Sequence, residues 1–347
     1  GLGVMSAIGA ALWEVAPNDA AVRHARIRDD YDRTEAWVRA VGALQRMRRG
    51  SLLLWGGTYC LRMDHLQDDI PKLKSFLIGD ILNEGEYLLI KRADRILGQE
   101  PERVEHFLQW LEKNGASITY DDRMCTPESL RRQVALYLAA RGRLKELEAE
   151  DIIGVSVHCQ PALSIEYGVT GCTLPAFLPF PEDDSGPQPI MNTVCEGDIK
   201  GLFSTVLLSL LRPGTPALFG DIREIEKERG RRLLSICNCG AHSIYYARNS
   251  GKASEVLPRV RIRGQCQGAS GAAVGYYGVE SKITMARLIR VAGEYRLLAE
   301  EGHSVEVTRE MVEPLQWGAM WPMRALDVGL DMPRFYETVG SNHFSVI

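Results

Sequence analysis

No CxxC pair occurs among the eight cysteines (Cys60, Cys125, Cys159, Cys172, Cys195, Cys237, Cys239 and Cys266), and no spacing among them reads as a structural zinc site. Reduced thiols of a cytoplasmic protein are the expectation. No apolar run approaches the ~20 residues that a bilayer span needs, so no membrane segment is expected. Basic residues are also short of a cluster. Lysine plus arginine number 41 against 45 acids, a net charge of -4, and no stretch of them would track a phosphate backbone, which excludes nucleic acid as an expected partner. Gly1–Ala11 is apolar, yet it has neither a basic leader nor a cleavage signal, which argues against a secretory signal. There is no internal repeat, so a solenoid is excluded.

What is present is a globular composition. Of 347 residues, 45% are hydrophobic and 25% charged, enough for a real core and more chain than one core usually serves, so two domains are expected. Apolar residues at Trp37, Val38, Val41, Leu44 and Met47 keep a helical period that stops at Gly50. Ser51–Trp55 then reads as a buried strand ended by Gly56 and Gly57. Thr126-Pro127-Glu128 has the threonine cap, first-turn proline and acid that start a helix, here running to Leu147. Ile152–Val157 is the next buried strand. Such βα alternation predicts an α/β domain with a mostly parallel sheet. Pro179–Pro189 reads as a surface loop, Asp198–Leu211 as an apolar helix, and Arg212-Pro213-Gly214 as a hinge. Beyond Lys252 short apolar runs separated by glycine predict antiparallel β structure. The expected division is an α/β domain over 1–212 and a β-rich domain over 213–347.

Two acids stand at the ends of strand-like runs. Glu196, in Cys195-Glu196-Gly197-Asp198, opens the apolar helix; Asp221 follows Ala217–Phe219 and precedes a charged segment, Ile222–Arg232, read as a helix that it would cap. Capping alone explains either acid. Their joint position adds weight, because open α/β sheets bind ligands beyond the carboxyl ends of their strands.

Val194-Cys195-Glu196-Gly197-Asp198 through Gly201, then Leu210-Leu211-Arg212-Pro213-Gly214-Thr215-Pro216 and Leu218-Phe219-Gly220-Asp221, resembles the metal-binding stretch of L-fucose isomerase and its relatives, the L-arabinose isomerases included. Gly340-Ser341-Asn342-His343 is similar to the family's glycine-x-asparagine-histidine, Ile236–Gly240 to a substrate-binding segment, and Trp317 with Trp321 to a tryptophan pair. Ile283–Arg287 and Gly302–Glu306 match a β-rich stretch. These matches keep their order from about Arg33 onward. The resemblance implies a Rossmann-like middle domain followed by a barrel-like β domain. It implies Glu196, Asp221 and His343 as ligands of manganese, with magnesium or another divalent cation as alternatives, and the two acids as catalytic groups. It also implies sugar contacts at Gln160, Cys239, Trp317 and Asn342, a weaker one at Met63, and a homo-oligomer, trimer or hexamer. Cys239 departs from the family's serine, which weakens one bond to a sugar hydroxyl. The chain opens where the family's middle domain begins and stops four residues after His343, so a neighbouring subunit or unseen residues are expected to close the site.

The implied chemistry suits these side chains. Moving a carbonyl between C1 and C2 of an open-chain aldose needs a base for the C2 proton, a group that carries protons between the two oxygens, and a cation for the charge that builds on them. Two carboxylates and an imidazole form a hard donor set suited to manganese or magnesium. The expected activity is aldose–ketose isomerisation of a free monosaccharide such as L-fucose, D-arabinose or a related modified sugar. The alternative is a non-catalytic sugar-binding or regulatory homologue. Gln160 could equally bond only its own loop, and Trp317 could be a core residue. His24, His65, His106, His158, His242 and His303 have no second ligand at metal spacing and are read as structural.

Overall fold

The structure is a computed structural model that describes residues 31–57, 68–227, 231–265, 270–312, 323–327, 335–337 and 339–347. Two compact units divide the chain, 1–45 and 46–347. What is described of the first lies on helix α1 (Tyr31–Arg49), where Arg39 pairs with Glu35 one turn away.

The second unit begins with a parallel sheet of β1 (Ser51–Trp55), β2 (Asp80–Glu84), β3 (Ile152–Val157) and β4 (Asn192–Cys195), in the order β2-β1-β3-β4. Every residue of β1 is buried, as expected of a central parallel strand covered on both faces. Between strands run α2 (Ile70–Phe76), α3 (Tyr87–Gln99), α4 (Pro101–Lys113) and α5 (Pro127–Glu146). Thr126 caps α5 as read: its hydroxyl accepts from the Ser129 N–H at 3.1 Å, and the Ser129 hydroxyl accepts from the Thr126 N–H at 2.9 Å. The helix packs on α3 and α4. There Phe107 meets Tyr137 and Phe177 with ring centroids 4.9 and 5.3 Å apart, an aromatic knot that fixes the helical layer.

The segment read as a surface loop differs in part. Glu182–Asp183 pairs with Gly186–Pro187 in a small hairpin, and Phe180 and Asp183 are buried. Asp183 is satisfied by the Tyr137 hydroxyl at 2.8 Å, the Ser185 N–H at 2.8 Å and Gln188 Nε2 at 3.0 Å. Three donors make an acid tolerable inside.

Helix α6 (Ile199–Leu211) links the sheet to a closed barrel of β5 (Leu218–Lys227), β6 (Arg231–Cys237), β7 (Ser281–Val291), β8 (Glu294–Val305), β9 (Met323–Asp327) and β10 (His343–Val346). All neighbours are antiparallel, in the order β7-β8-β9-β6-β5-β10 and back to β7. This corrects the reading of Ile222–Arg232 as a helix. Its described residues lie on β5 and β6, in register from Asp221↔Cys237 to Lys227↔Arg231; pairing within the barrel outweighs a charged local composition that suits either state. Arg261–Gly264 and Ala272–Gly275 form a separate antiparallel pair, which Ser117–Ile118 extends in parallel. No described helix is long and apolar enough to cross a membrane.

Helix α6 is buried from Ile199 to Ser209, as its apolar circumference requires. It lies close against the barrel because its contact face is small and hydroxylated. The Thr205 and Ser345 hydroxyls are 2.7 Å apart, the Ser204 hydroxyl accepts from the Leu288 N–H at 2.8 Å, and Gly201 sits at the nearest approach. A Cβ at Gly201 would lie 2.5 Å from Phe219 and 2.8 Å from both Arg287 Nη1 and Asp198 Oδ2. Gly201→Ala should therefore cost about 1–3 kcal/mol through overpacking, read as a lower urea midpoint at unchanged m-value. An unchanged midpoint would mean that the helix can back away from the barrel freely.

Candidate active site

At the carboxyl end of β4 the chain turns through Glu196 and Gly197, at φ 65° and 66°. Left-handed backbone costs a residue with a Cβ roughly 1–2 kcal/mol, so the surroundings must hold Glu196 there. The turn delivers Asp198 as N-cap of α6, with Oδ1 accepting from the Gly201 N–H at 2.8 Å. On the barrel, His343 and Asp221 are directly opposed residues of β10 and β5. Opposed residues share a face, and this face meets α6 through Phe219 and Ser345.

Three carboxylates converge on one buried imidazole. His343 Nε2 lies 3.1 Å from Glu196 Oε2 and 3.3 Å from Asp221 Oδ1, while Nδ1 lies 2.9 Å from Asp198 Oδ2. Asn342 Nδ2 donates to Asp221 Oδ1 at 2.9 Å. Behind Asp198, Arg287 Nη1 donates to the same Oδ2 at 2.5 Å, and both side chains are wholly buried. Burial works against every charge here. It raises Asp198, yet the Arg287 and His343 cations hold its carboxyl well below the usual carboxylate range; it raises Asp221, yet bonds from His343 and Asn342 bring it below its ordinary value. Burial lowers His343, but its bonds to Asp198, Asp221 and Glu196 push it well above the ordinary histidine value. Three acids thus gather about one imidazole, with Arg287 behind Asp198 and Arg223 also acting on Asp221.

The structure brings Glu196, Asp221, His343 and Asn342 together. It places Asp221 in mid-strand, however, rather than at a helix start, so its position comes from barrel register and not from capping. Gln160 is half-buried on the same sheet edge, three residues beyond Val157, which pairs with Cys195. Cys239 is buried with Cys159, Cys172 and Cys195 in a narrow, mainly apolar pocket. Burial and then the Cys172 and Cys159 thiols, with Glu196 and Asp221, push the Cys239 thiol well above its ordinary value, which puts the cysteine beside the carboxylates as a neutral, weakly bonding wall. Trp317, Trp321 and Met63 lie outside the described residues. Asp198 and Arg287 were not singled out. The available signal was an arginine inside the apolar run Ile283–Val291, which needs a buried acid as partner.

Glu196, Asp221 and His343 are the side chains that could hold a cation. As they stand they contact one another through Nε2, and among the described residues no group of three or more His, Cys, Asp or Glu is arranged so that it could hold a metal ion. Their separations of 3.1 and 3.3 Å are nonetheless close to the ~3.0 Å edge of an octahedron with 2.0–2.1 Å ligand bonds. Asp198 on Nδ1 is the outer carboxylate that commonly orients a metal-binding histidine. The donor set, two carboxylates and an imidazole, is of the kind that suits a divalent cation.

No protein-family model matches the chain. It is similar to sulfoquinovose isomerases. The match to that of Priestia aryabhattai is 26% identical over 163 residues, 47% of this chain and 33% of the relative, and the Priestia megaterium protein gives the same values. The enzyme of Alkalicoccus urumqiensis is 24% identical over 159 residues, 46% of this chain and 32% of its own length. The chain thus matches about a third of the length of these curated relatives, which are sugar isomerases by name.

Two consequences can be measured. Asp198→Asn leaves Arg287 and His343 facing a neutral amide, and losing one partner of a buried pair costs about 3–5 kcal/mol; urea unfolding at pH 7 should show it, and a loss under about 1 kcal/mol would mean that Asp198 is only a cap. The second concerns Glu86, two residues beyond β2 and 5% exposed, with Oε1 lacking a hydrogen-bond partner among the described residues. Burial pushes its carboxyl up to about 8 from 4.5. Between those values the folded chain holds a proton that the unfolded chain has released, so stability falls as pH rises from about 5 to about 8. Glu86→Gln removes that slope. The gain in urea midpoint over wild type should therefore grow from pH 5 to pH 8; a pH-independent difference would show that Glu86 is ionised in the fold.

Proposed function

We propose that the chain is a metal-dependent aldose–ketose isomerase that acts on a free sugar in its open-chain form. One observation carries this reading: side chains from a sheet edge, a barrel strand and the last described strand meet at His343 Nε2, a meeting that no capping role requires. The similarity to sulfoquinovose isomerases supports a sugar substrate, and the donor chemistry supports manganese or magnesium.

In this proposal Glu196 Oε2, Asp221 Oδ1 and His343 Nε2 hold the cation. A divalent ion bound there would polarise the substrate carbonyl and offset charge building on O1 and O2. Asp198, through Nδ1, keeps the imidazole oriented with Nε2 toward the other acids. Asn342 holds one Asp221 oxygen and leaves the other for the substrate. Glu196 and Asp221, 15% and 24% exposed against 1% for His343, are the groups a sugar can reach. One removes the proton from C2 and the other carries protons between the two oxygens. The reading keeps Gln160 and Cys239 as sugar contacts, Cys239 offering a thiol where a hydroxyl would bond more strongly. The proposal includes a homo-oligomer of the kind that the L-fucose isomerase resemblance implies.

Glu196→Gln and Asp221→Asn should each lower turnover of an aldose panel, assayed with manganese and scored for ketose by NMR, by at least about a hundredfold. Circular dichroism should be unchanged. Near-normal turnover in either variant would return that acid to a structural role. Aldose binding without conversion by the wild type would favour the non-catalytic reading.

A further inference from the structure

A second polar cluster lies on the α/β half, between α4 and the 182–187 hairpin. There a pocket of about 270 Å³ is lined by Glu102, Arg103, His106, Leu138, Asp184 and Ser185. We infer that this pocket is a binding site for a divalent transition-metal cation of the zinc or nickel type, held by His106 Nε2 and the Glu102 carboxylate, with Asp184 as the orienting acid behind the histidine.

Glu102 and His106 are four apart on α4, and residues at that spacing are neighbours on a helix surface. The histidine is already oriented. Its Nδ1 lies 2.8 Å from Asp184 Oδ2, which leaves Nε2 as the open nitrogen on a side chain 65% exposed. Asp184 itself is only 6% exposed, and its Oδ1 is buried without a hydrogen-bond partner among the described residues. Asp183 next to it has three donors, whereas the Asp184 carboxyl is bonded to the imidazole and to its own backbone N–H, with Oδ1 left over. A carboxylate–imidazole pair with the far nitrogen facing an open pocket is the outer half of a metal site. Arg103, which also lines the pocket, is paired with Glu100 at 2.9 Å.

Imidazole with one carboxylate suits zinc or nickel better than magnesium or calcium, which prefer all-oxygen sets. Among the described residues no third side chain completes a cage, so water fills the remaining positions and the ion is exchangeable. Sequence spacing could not reveal this arrangement, because Asp184 comes from 78 residues beyond His106.

The test is calorimetric titration of the metal-depleted full chain with zinc chloride and, separately, nickel chloride. Wild type would be compared with His106→Ala, Glu102→Gln, Asp184→Asn and Glu196→Gln. His106→Ala should bind one equivalent fewer than wild type. Glu102→Gln and Asp184→Asn should bind that equivalent at least about tenfold more weakly, and Glu196→Gln should keep it. Histidine NMR should show the His106 ring shifting with the same equivalent. The exposed side chains of Glu102 and His106 make these variants safe for the fold, and circular dichroism checks it. Unchanged stoichiometry and affinity in His106→Ala, or loss of the equivalent in Glu196→Gln alone, would overturn the inference. Neither result would bear on isomerisation, which rests on the His343 cluster.

Discussion

One carboxylate, that of Asp198, joins the two halves of this molecule. Its Oδ1 caps α6, and its Oδ2 is shared by Arg287 of β7 and His343 of β10. None of these groups could be buried alone, since an isolated ion inside a protein carries a desolvation cost of several kcal/mol. Each is tolerated because the others are in place. The sheet edge that ends at Cys195, the helix that starts at Ile199 and two barrel strands must therefore assemble together or leave a buried charge unpaired. Arg287 heightens the demand, because its Nε and Nη2 are buried with no partner among the described residues, so Asp198 is what it has.

From this follows the character of the seam. A bulky helix face would hold α6 away from the barrel and stretch the bond between Asp198 and Arg287. Gly201, Ser204 and Thr205 allow close approach and supply hydrogen bonds, including one to a strand N–H. Oxygen-for-oxygen contacts at such a seam are specific in a way that leucine packing is not, because a shift of one residue leaves a hydroxyl unpaired. The short side chains that admit the helix also fix its position along the strands.

How much of this was legible in the sequence depends on the range of the signal. Local signals survived: the stop at Gly50, the Thr126 cap, the buried strand Ser51–Trp55 and the apolar helix up to Leu211 are all found. Glu196, Asp221, His343 and Asn342 are legible as residues, and the structure brings their side chains together. The setting of Asp221 was misread, because Ile222–Arg232 carries alternating charges compatible with either a helix or a hairpin, and only the barrel partners decide. Asp198 was visible as a helix start, but the second use of its carboxylate was not. A cap needs one oxygen, and nothing local tells what the other oxygen meets 89 residues away at Arg287.

The barrel then ties function to fold through register. His343 opposes Asp221, and two residues along Ser345 opposes Phe219, so these four side chains lie on the face turned to α6. A slip of one residue between β10 and β5 would turn the whole set to the other face, taking the imidazole from Asp198 and Asp221 together. Three bonds oppose the slip: Ile222 N–H to the Asn342 carbonyl at 2.8 Å, the Asn342 side chain to Asp221 at 2.9 Å, and the Thr205–Ser345 hydroxyl pair at 2.7 Å. Two of these involve Asn342, the residue just before the histidine. The asparagine that steadies the carboxylate through its side chain also pins the strand through its backbone, so the geometry at the imidazole and the closure of the barrel are held by the same few groups. A site built this way cannot loosen without opening the barrel seam, and the charge that makes it chemically useful is the same charge that makes its assembly cooperative.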